Sequence, residues 1–527
     1  MKASSRYPHS IPVIDLFAGP GGLSEGFSSL TVSGGTHPFR IRLSIESNPI
    51  AHATLRLRSF YRQFEGNAPE DYYRFLRGDL RNIDQLYGAY PLEAERATEE
   101  AWNKELGILH HSELNRGIRN ALSGAKESVM IGGPPCQAYS MAGRSRNRGV
   151  GGYRAESDRR QYLYVEYLQA IADHWPAVFV MENVKGLLSA SLNNQRLFHR
   201  IVSDLESPHE ALKREKRHID RGRTHRYRLL SLATPVSSEA SRLDDYLVMA
   251  ERHGIPQARH RVILIGVRDD LGSNAIEALP LMDEVPCHQV IEDLPRLRSG
   301  LSRGNDSSDA WLSAITAALN GRWLAGVHRA AGGDVEEEIV RSVSKVVIPR
   351  LGRGTHFVPG DFRPSYRPDW FVDARLGGVI QHESREHMAD DLRRYLFVSA
   401  FGRVNRRSPK LREFPAHLLP QHANVDAAIH KGQFGDRFRV QLKHEAATTI
   451  TSHIAKDGHY YIHYDPTQCR SLTLREAARL QTFPDNYFFC GTRTEAYGQV
   501  GNAVPPLLAN SIAKSVWAIL KKSGCLR

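Results

Sequence analysis

Cysteine is scarce in this sequence, and no two cysteines have a metal-binding spacing. Five of the 527 residues are cysteine, and they are scattered without a Cys-x-x-Cys pair. Such usage is typical of a reducing compartment and argues against a disulfide framework or a structural zinc site. We expect free thiols and no bound metal.

Long apolar runs are also missing. No uninterrupted stretch reaches the length of a membrane span, and residues 1–17 contain no apolar signal core before the first strand-like segment. We also find no internal repeat. With 41% hydrophobic residues, the chain is expected to form a globular, soluble, cytoplasmic protein of two or more domains.

Positive charge is present in excess and is unevenly distributed. The formal net charge is +12, and residues 296–443 alone contain 24 Lys and Arg against 16 Asp and Glu. An excess concentrated in one region is more typical of a nucleic-acid surface than of a uniformly solvated one.

The first strand and turn resemble a nucleotide cradle. Residues 11–17 (IPVIDLF) predict a buried parallel strand, and residues 18–22 (AGPGG) predict a tight turn into a helix near Leu23. Ser24 stands where a dinucleotide fingerprint needs a third glycine, which disfavours an oxidoreductase. Two further strands are expected to bring acidic groups to the same edge: residues 39–45, followed by Glu46, and a strand closed by residues 78–80 (GDL) with Asp79.

One cysteine follows an apolar run directly. After residues 129–131 (VMI) the sequence reads Gly-Gly-Pro-Pro-Cys136-Gln137, so two glycines allow a sharp turn and two prolines stiffen the support of the thiol. Ligands of open α/β sheets bind at such strand ends. A lone cysteine packed in the core is the ordinary alternative.

Later motifs add a carboxylate and two arginines. A strand at residues 177–181 ends in Glu182, and Arg259 and Arg261 precede a strand at residues 262–267 with a spacing that points both to one face. Between these motifs and the cysteine lies a basic, glycine-rich loop, residues 138–152, which we interpret as a mobile lid over DNA, with a disordered, solvated loop as the alternative.

The regular α/β pattern fades between about residues 287 and 448 and then returns. Residues 471–484 predict a helix capped by Thr473 with Glu476 three residues on, and residues 499–506 precede an amphipathic helix. The pattern predicts one α/β domain in two parts, residues 1–290 and 446–527, around a second domain at residues 291–445.

Taken in order, these motifs closely resemble those of bacterial DNA (cytosine-5) methyltransferases. They are residues 15–22 (DLFAGPGG), 134–137 (PPCQ), 182–184 (ENV), 257–261 (QARHR), 475–481 (REAARLQ) and 501–505 (GNAVP). The resemblance implies an α/β fold: a doubly wound, Rossmann-like methyltransferase domain that uses S-adenosylmethionine, with an inserted, smaller target-recognition domain. It also implies double-stranded DNA as partner, and other proteins of a restriction or phage-defence system.

The resemblance assigns roles to the catalytic residues. Cys136 would add to C6 of cytosine, Glu182 would hold N3, and Arg259 and Arg261 would hold O2 of the base and the Glu182 carboxylate. C5 would then accept the methyl group. The base would first be flipped out of the duplex.

The resemblance also assigns binding residues. Those expected to contact the cofactor are Phe17, Gly19, Gly21, Gly22, Leu23, Glu46, Asp79, Leu80, Pro135, Leu163, Asn502 and Ala503. Those expected to contact DNA are Gln137, Ser140, Arg144 and Arg146.

Two alternatives remain open at this point. A cytosine-5 methyltransferase acting on tRNA would share the motifs, although the large basic insertion favours duplex DNA. A non-catalytic DNA-binding regulator would have lost the thiol, the carboxylate or the arginines, and all are present.

Overall fold

The computed structural model describes residues 10–135, 163–192, 195–218, 224–233, 243–272, 277–420 and 436–525. The strands are β1 (Ile11–Leu16), β2 (Phe39–Glu46), β3 (Ala101–Asn103), β4 (Val129–Gly132), β5 (Val178–Val184), β6 (Ser191–Leu192), β7 (Gln195–Arg196), β8 (Tyr227–Leu230), β9 (Leu247–Met249), β10 (Gln257–Ala258), β11 (His260–Arg268), β12 (Gly300–Leu301), β13 (Gly354–Pro359), β14 (Gly378–Glu383), β15 (Glu386–His387) and β16 (Ala447–Thr448).

The α-helices are α1 (Gly22–Ser28), α2 (Pro49–Arg62), α3 (Glu70–Arg77), α4 (Ile83–Ala89), α5 (Pro91–Glu100), α6 (His111–Leu122), α7 (Leu163–His174), α8 (Leu197–Glu206), α9 (Pro208–Arg214), α10 (His288–Ile291), α11 (Ser308–Thr316), α12 (Gly321–Ala331), α13 (Gly333–Val343), α14 (Pro368–Phe371), α15 (Ala389–Asn405), α16 (Leu474–Leu480), α17 (Arg493–Asn502) and α18 (Pro506–Lys522). Short 3-10 helices include Ala250–His253 and Ser452–Ala455.

An eight-stranded sheet forms the centre of the fold, in the order β3-β2-β1-β4-β5-β11-β8, with β9 also paired to β11. The first five strands of this order are mutually parallel, and β11 is antiparallel to β5. The carboxyl ends of the parallel strands therefore share one edge, called the carboxyl edge below. Because β11 runs the other way, its first residues lie at that edge.

Alternate residues of the sheet face two separate apolar layers. On β4, Met130 packs in the layer that contains helices α6 and α7, whereas Val129 and Ile131 pack in the layer that contains α1 and α18. A sheet buried on both faces needs apolar residues on both sides of each strand, which explains the continuous hydrophobic runs of β1, β4 and β5. The expected doubly wound fold is confirmed.

The middle of the chain forms a further core that the last motifs join. One apolar cluster runs from Val285 to Ala503, and α15 lies almost entirely inside it. Hairpin β13–β14 contributes to another cluster, together with α2 and α3. The C-terminal motifs up to Ala503 thus pack with the middle of the chain, called the middle region below, while α18 returns to the sheet. The boundaries at 290 and 445 stay a prediction.

Most of the predicted elements are confirmed, and one strand is wrong. Strands β1, β2, β5 and β11, the capping box of Thr473 and Glu476, and helix α18 lie where the patterns indicate them. Residues 78–80 form no strand: Gly78 ends α3 with a φ of 88°. The third strand is instead β3, which consists of three residues between α5 and α6. Three residues are too few to show a strand's alternation.

One helical stretch, Arg493–Lys522, is long and apolar enough to cross a membrane by length and composition. Its most apolar window is 72% buried inside the protein. It comprises α17 and α18, which meet at Pro505 and Pro506, and the burial is that of core helices.

Candidate active site

Glu182 and Arg261 form an ion pair at the carboxyl edge. Glu182 lies near the end of β5, and Arg261 near the start of β11, where it pairs in register with Val184. Arg261 Nε donates to Glu182 Oε1 at 2.9 Å, and the two side chains are 12% and 14% exposed. Burial lowers the pKa of Arg261, and the neighbouring carboxylate opposes that shift. The pair is preorganised and shielded from bulk water.

The segment that leads to the cysteine crosses directly over this carboxylate. A Cβ built on Gly133 would lie 3.2 Å from Glu182 Oε2. Asn183 Nδ2, which is buried, donates to the carbonyl oxygen of Pro134 at 2.9 Å. The next strand therefore fixes the Gly-Gly-Pro-Pro segment in place. The sequence revealed Asn183 only as part of a motif, and this bracing role was missed.

Cys136, Gln137, Ser140, Arg144 and Arg146 lie outside the described residues. Pro135, the last described residue before them, is partly exposed at the carboxyl edge. Cys136 is the next residue along the chain. The predicted roles of these five residues stay predictions.

Arg259 differs from our expectation that both arginines reach Glu182 or the base. It precedes β11, is 1% exposed, and donates from Nη1 to the carbonyl of Ile450 at 2.8 Å and from Nη2 to that of Gly501 at 3.2 Å. Burial, with the neighbouring Arg261, lowers its pKa. Arg259 therefore links the backbone at Ile450 to the backbone at Gly501, near the end of α17.

Gln257 strengthens the same connection, and sequence reasoning gave it no role. Its Nε2 donates to Gln481 Oε1 at 2.5 Å, and its Oε1 accepts from the backbone N–H of Ile450 at 2.8 Å. Gln481 Nε2 in turn donates to the carbonyl of Ala503 at 2.5 Å. The motifs at residues 257–261, 475–481 and 501–505 thus meet in one buried polar network. These hydrogen bonds hold the three segments together in the interior of the protein.

The turn after β1 makes an open cradle beside Glu46. Phe17 and Gly19 have φ values of 60° and 58°, and a Cβ on Gly19 would meet nothing within 4 Å. Glu46 Oε2 accepts from Gly19 N–H at 2.8 Å, and Oε1 accepts from Asn48 N–H at 2.7 Å. The carboxylate is held in position and keeps lone pairs for the hydroxyls of a ribose. The residues present therefore fit a nucleoside cofactor.

The glycines after the cradle have a different surrounding. A Cβ on Gly22 would lie 2.2 Å from the carbonyl oxygen of Val504, and one on Gly21 would lie 2.9 Å from Leu55. The Leu23 side chain is buried in the apolar layer that contains α1 and α18. These residues bring α1 close to the segment before α18. The contact of Gly21, Gly22 and Leu23 with a cofactor stays a prediction, and main-chain atoms of these residues would have to make it.

Asp79 and Leu80 do not lie at a strand end. They follow α3, where both backbone N–H groups donate to the carbonyl of Arg74. Leu80 packs in the cluster formed with hairpin β13–β14, and Asp79 is exposed beside Arg77. The expectation that they close a third strand is wrong, because Gly78 terminates a helix.

The true third strand brings other residues to the cradle's side of the sheet. Asn103, at the end of β3, donates from Nδ2 to the carbonyls of Glu46 and Ser47 at 2.9 and 3.1 Å. A Cβ on Gly107 would lie 3.3 Å from the Leu163 side chain. Leu163 therefore lies beside the loop that follows β3, and its contact with a cofactor stays a prediction.

Asn502 and Ala503 end the connection from α17. Asn502 is exposed, and Ala503 is buried with its carbonyl held by Gln481.

Asp15, beneath the cradle, is fully buried: Ser24 Oγ donates to its Oδ2 at 2.6 Å, and burial raises its pKa to about 7. Neither Asp15 nor Ser24 was predicted from the sequence as a site residue.

Within the described ranges, one group of possible metal ligands is found, and it lies elsewhere. His225, Asp269 and Asp270 stand beyond the far end of β11. His225 Nδ1 lies 3.1 Å from Asp269 Oδ1, and Arg268 pairs with Asp270 at 2.7 Å. The group belongs to the edge opposite the candidate site.

Comparisons with known proteins agree with this arrangement. The family model for C-5 cytosine-specific DNA methylase matches residues 109–208 and 377–518. Type II methyltransferase M.Bpa9945I of Bacillus paralicheniformis is 31% identical over 526 residues, covering 96% of this chain and 98% of the relative. DNA (cytosine-5-)-methyltransferase M.ApeKI of Aeropyrum pernix is 26% identical over 445 residues, covering 76% and 83%.

A crystal structure described as a DNA modification methyltransferase encoded within an E. coli prophage covers 97% of this chain and all of its own, with a TM-score of 0.51 and 18% identity. At that identity the likeness concerns the fold. The relative at 31% identity spans nearly the whole chain, and its match carries the assignment. This chain belongs to the C-5 cytosine-specific DNA methylases.

Proposed function

We propose that the chain transfers a methyl group from S-adenosylmethionine to C5 of cytosine within a specific sequence of duplex DNA. The observation that carries this proposal is the Glu182–Arg261 pair, with Gly133 lying across its carboxylate on the path to Cys136. An acid, a fixed cation and a thiol are the groups that activation of a cytosine ring requires, and Cys136 follows Pro135 directly in the sequence.

The chain's own residues divide the chemistry as follows. The Cys136 thiolate adds to C6 of a flipped cytosine while Glu182 donates to N3, which leaves C5 electron-rich. Arg261 fixes the Glu182 carboxyl and faces the charge that develops on the ring. After C5 has gained the methyl group, loss of its proton and departure of the Cys136 sulfur restore the aromatic ring.

S-adenosylmethionine supplies an electrophilic methyl group when it is bound. In the proposal, Glu46 accepts hydrogen bonds from its ribose, and Phe17 and Gly19 line the cradle with Leu163 and Pro135. Asn502 closes the far side. The orientation of Glu46 by two backbone N–H groups supports this assignment.

We further propose a biological role. The Type II methyltransferase names of the relatives support protection of host DNA in a restriction or phage-defence system. The chain would then act on cytoplasmic DNA beside the other proteins of that system. Residues 291–445, with their excess of Lys and Arg, would select the sequence.

Methyl transfer from labelled S-adenosylmethionine tests the proposal. We expect incorporation into duplex DNA rather than tRNA, and bisulfite sequencing should locate it at cytosines of one recurring sequence. Cys136→Ser should lower the rate on the order of 1000-fold or more, because an alcohol is a far weaker nucleophile than a thiolate. Cys525→Ser, a partly exposed cysteine in the segment after α18, is the matched control and should retain the wild-type rate. The proposal is overturned if the labelled methyl group is incorporated into tRNA and not into duplex DNA.

A further inference from the structure

An exposed apolar run stands out in the middle region. Val347, Ile348 and Leu351 are 72%, 37% and 37% exposed, and they lie within five consecutive residues after α13. The preceding Val346 packs against the core, so the chain turns outward at this point. Three exposed branched side chains so close together are costly in water and are typical of a contact surface.

This run, residues 347–351, is held by well-formed turns. The carbonyl of Pro349 accepts from Gly352 N–H at 2.9 Å, and that of Leu351 accepts from Gly354 N–H at 2.8 Å. Both glycines have positive φ values, 55° and 82°. The exposed side chains are therefore presented by a defined backbone.

An ion-pair network anchors the base of the run. Asp306 accepts from Arg298 at 2.5 Å and from Arg353 at 3.0 Å, and Arg353 also donates to Glu386 at 2.9 Å. Arg298 N–H donates to the carbonyl of Gly352 at 2.8 Å. Both carboxylates near the run thus have arginine partners.

A chain of contacts connects the run with the part of the fold that carries the candidate active site. Cys490 N–H donates to Thr54 in the middle of α2, and a Cβ on Gly491 would lie 2.4 Å from Ile50, near the start of that helix. Two residues on, Arg493 donates to the carbonyl of Ser384, which also accepts from Arg353. Since α2 begins just after Glu46, this path leads toward the carboxyl edge.

The charges around the run suit a polyanion. Residues 339–360 contain four Lys or Arg and neither Asp nor Glu. Lys345 and Arg350 are exposed, and within the described ranges neither side chain has a hydrogen bond or an ion pair. The exposed loop at residues 302–305, beside the same network, adds Arg303.

We infer that residues 347–351 contact base pairs of the bound duplex, with Val347, Ile348 and Leu351 against base edges and Lys345 and Arg350 on flanking phosphates. The inference rests on the proposed function and assigns sequence selection to particular side chains. Apolar contacts discriminate between bases, for instance through the thymine methyl group, whereas phosphate contacts supply affinity that falls with salt.

Substitution of the apolar residues should therefore change sequence preference, whereas substitution of the basic residues should change the salt dependence of binding. Val347→Ala, Ile348→Ala and Leu351→Ala, made singly and together, should lower the preference for the native site over single-mismatch duplexes, about tenfold in the combined variant. The salt dependence of DNA binding should stay as in the wild type. Leu319→Ala, at another exposed leucine of the middle region, is the control and should leave the preference unchanged.

Lys345→Ala and Arg350→Ala should each reduce the slope of log affinity against log salt by about 0.9 while preserving the preferred site. Lys521→Ala, in α18, should not change that slope. The inference is overturned if the combined apolar variant keeps the wild-type preference, or if the two basic variants keep its salt slope. Because the substituted side chains are exposed, thermal unfolding and cofactor binding should match the wild type.

Failure of the proposed function gives a separate result. A wild-type enzyme that transfers no methyl group to DNA refutes the proposed function. A wild-type enzyme that methylates a defined site, together with loop variants that methylate the same site as selectively, refutes only the role of residues 347–351.

Discussion

Removing the guanidinium of Arg261 should reveal how much the ion pair contributes to catalysis. Two unit charges about 4 Å apart attract by ~4 kcal/mol at an effective dielectric constant of about 20, and a charged hydrogen bond contributes about 1.5–3 kcal/mol net. Arg261→Ala should therefore cost about 3 kcal/mol of transition-state stabilisation. This corresponds to roughly a 100-fold lower kcat.

A double-mutant cycle with Glu182→Gln identifies the origin of that loss. If Arg261 acts through Glu182, the double variant should be no more than about threefold slower than the slower single variant. The assay is single-turnover methyl transfer into duplex DNA at saturating cofactor. Losses that multiply independently would refute the reasoning, because the two groups would then not act as a unit.

The same strand provides a matched control. Arg268, at the far end of β11, pairs with Glu127 at 2.9 Å, and these side chains are 10% and 9% exposed. Arg268→Ala removes an ion pair of similar length and burial at the opposite edge of the sheet. It should lower Tm and leave kcat within about twofold of the wild type, since this pair lies at the edge of the sheet opposite the candidate site and gains nothing in the transition state.

Two further predictions concern stability. Because burial raises the pKa of Asp15 from 3.8 to about 7, the folded chain keeps a proton that the unfolded chain releases between these values, so this group makes stability fall as pH rises. Asp15→Asn should remove up to roughly 4 kcal/mol of that dependence in urea unfolding at several pH values; no change in the pH slope would contradict the assignment. Arg479→Ala removes both hydrogen bonds, at 2.8 and 2.9 Å, to the buried Asp485 and leaves it the more distant Arg475 at 3.9 Å, so it should cost about 3 kcal/mol. Arg367→Ala, which loses an exposed pair, should cost less than about 1 kcal/mol, and equal losses would refute the burial argument.

Motifs with strong local chemistry were read correctly from the sequence. The strand that ends at Glu46 and the capping box at Thr473 follow from short local patterns, whereas the pairing of Arg261 with Glu182 was implied by the family resemblance. The family resemblance implied the doubly wound fold, and the continuous apolar runs of the strands agree with it. The family likeness placed these elements in order.

The remaining features depended on contacts between distant residues. Asp79 follows a strand-like stretch, yet the aromatic residues before it pack as helix α3 against a hairpin almost 300 positions later. Arg259 and Arg261 differ by two positions, but Ile450 and Gly501 provide carbonyls for only the first. Local spacing contains no information about such partners, and tertiary contacts decided both cases.

The contact between α1 and α18 has a consequence for synthesis on the ribosome. A Cβ on Gly26 would lie 2.4 Å from Ala509, and Asn510 donates to the carbonyl of Gly26 at 3.0 Å. Helix α1, which follows the cradle, therefore gains its packing partner α18 nearly 500 residues after the turn of the cradle has been translated. Nascent chains lack that partner, so modification activity should appear only as α18 emerges, and a chain stopped before residue 506 should leave DNA unmodified.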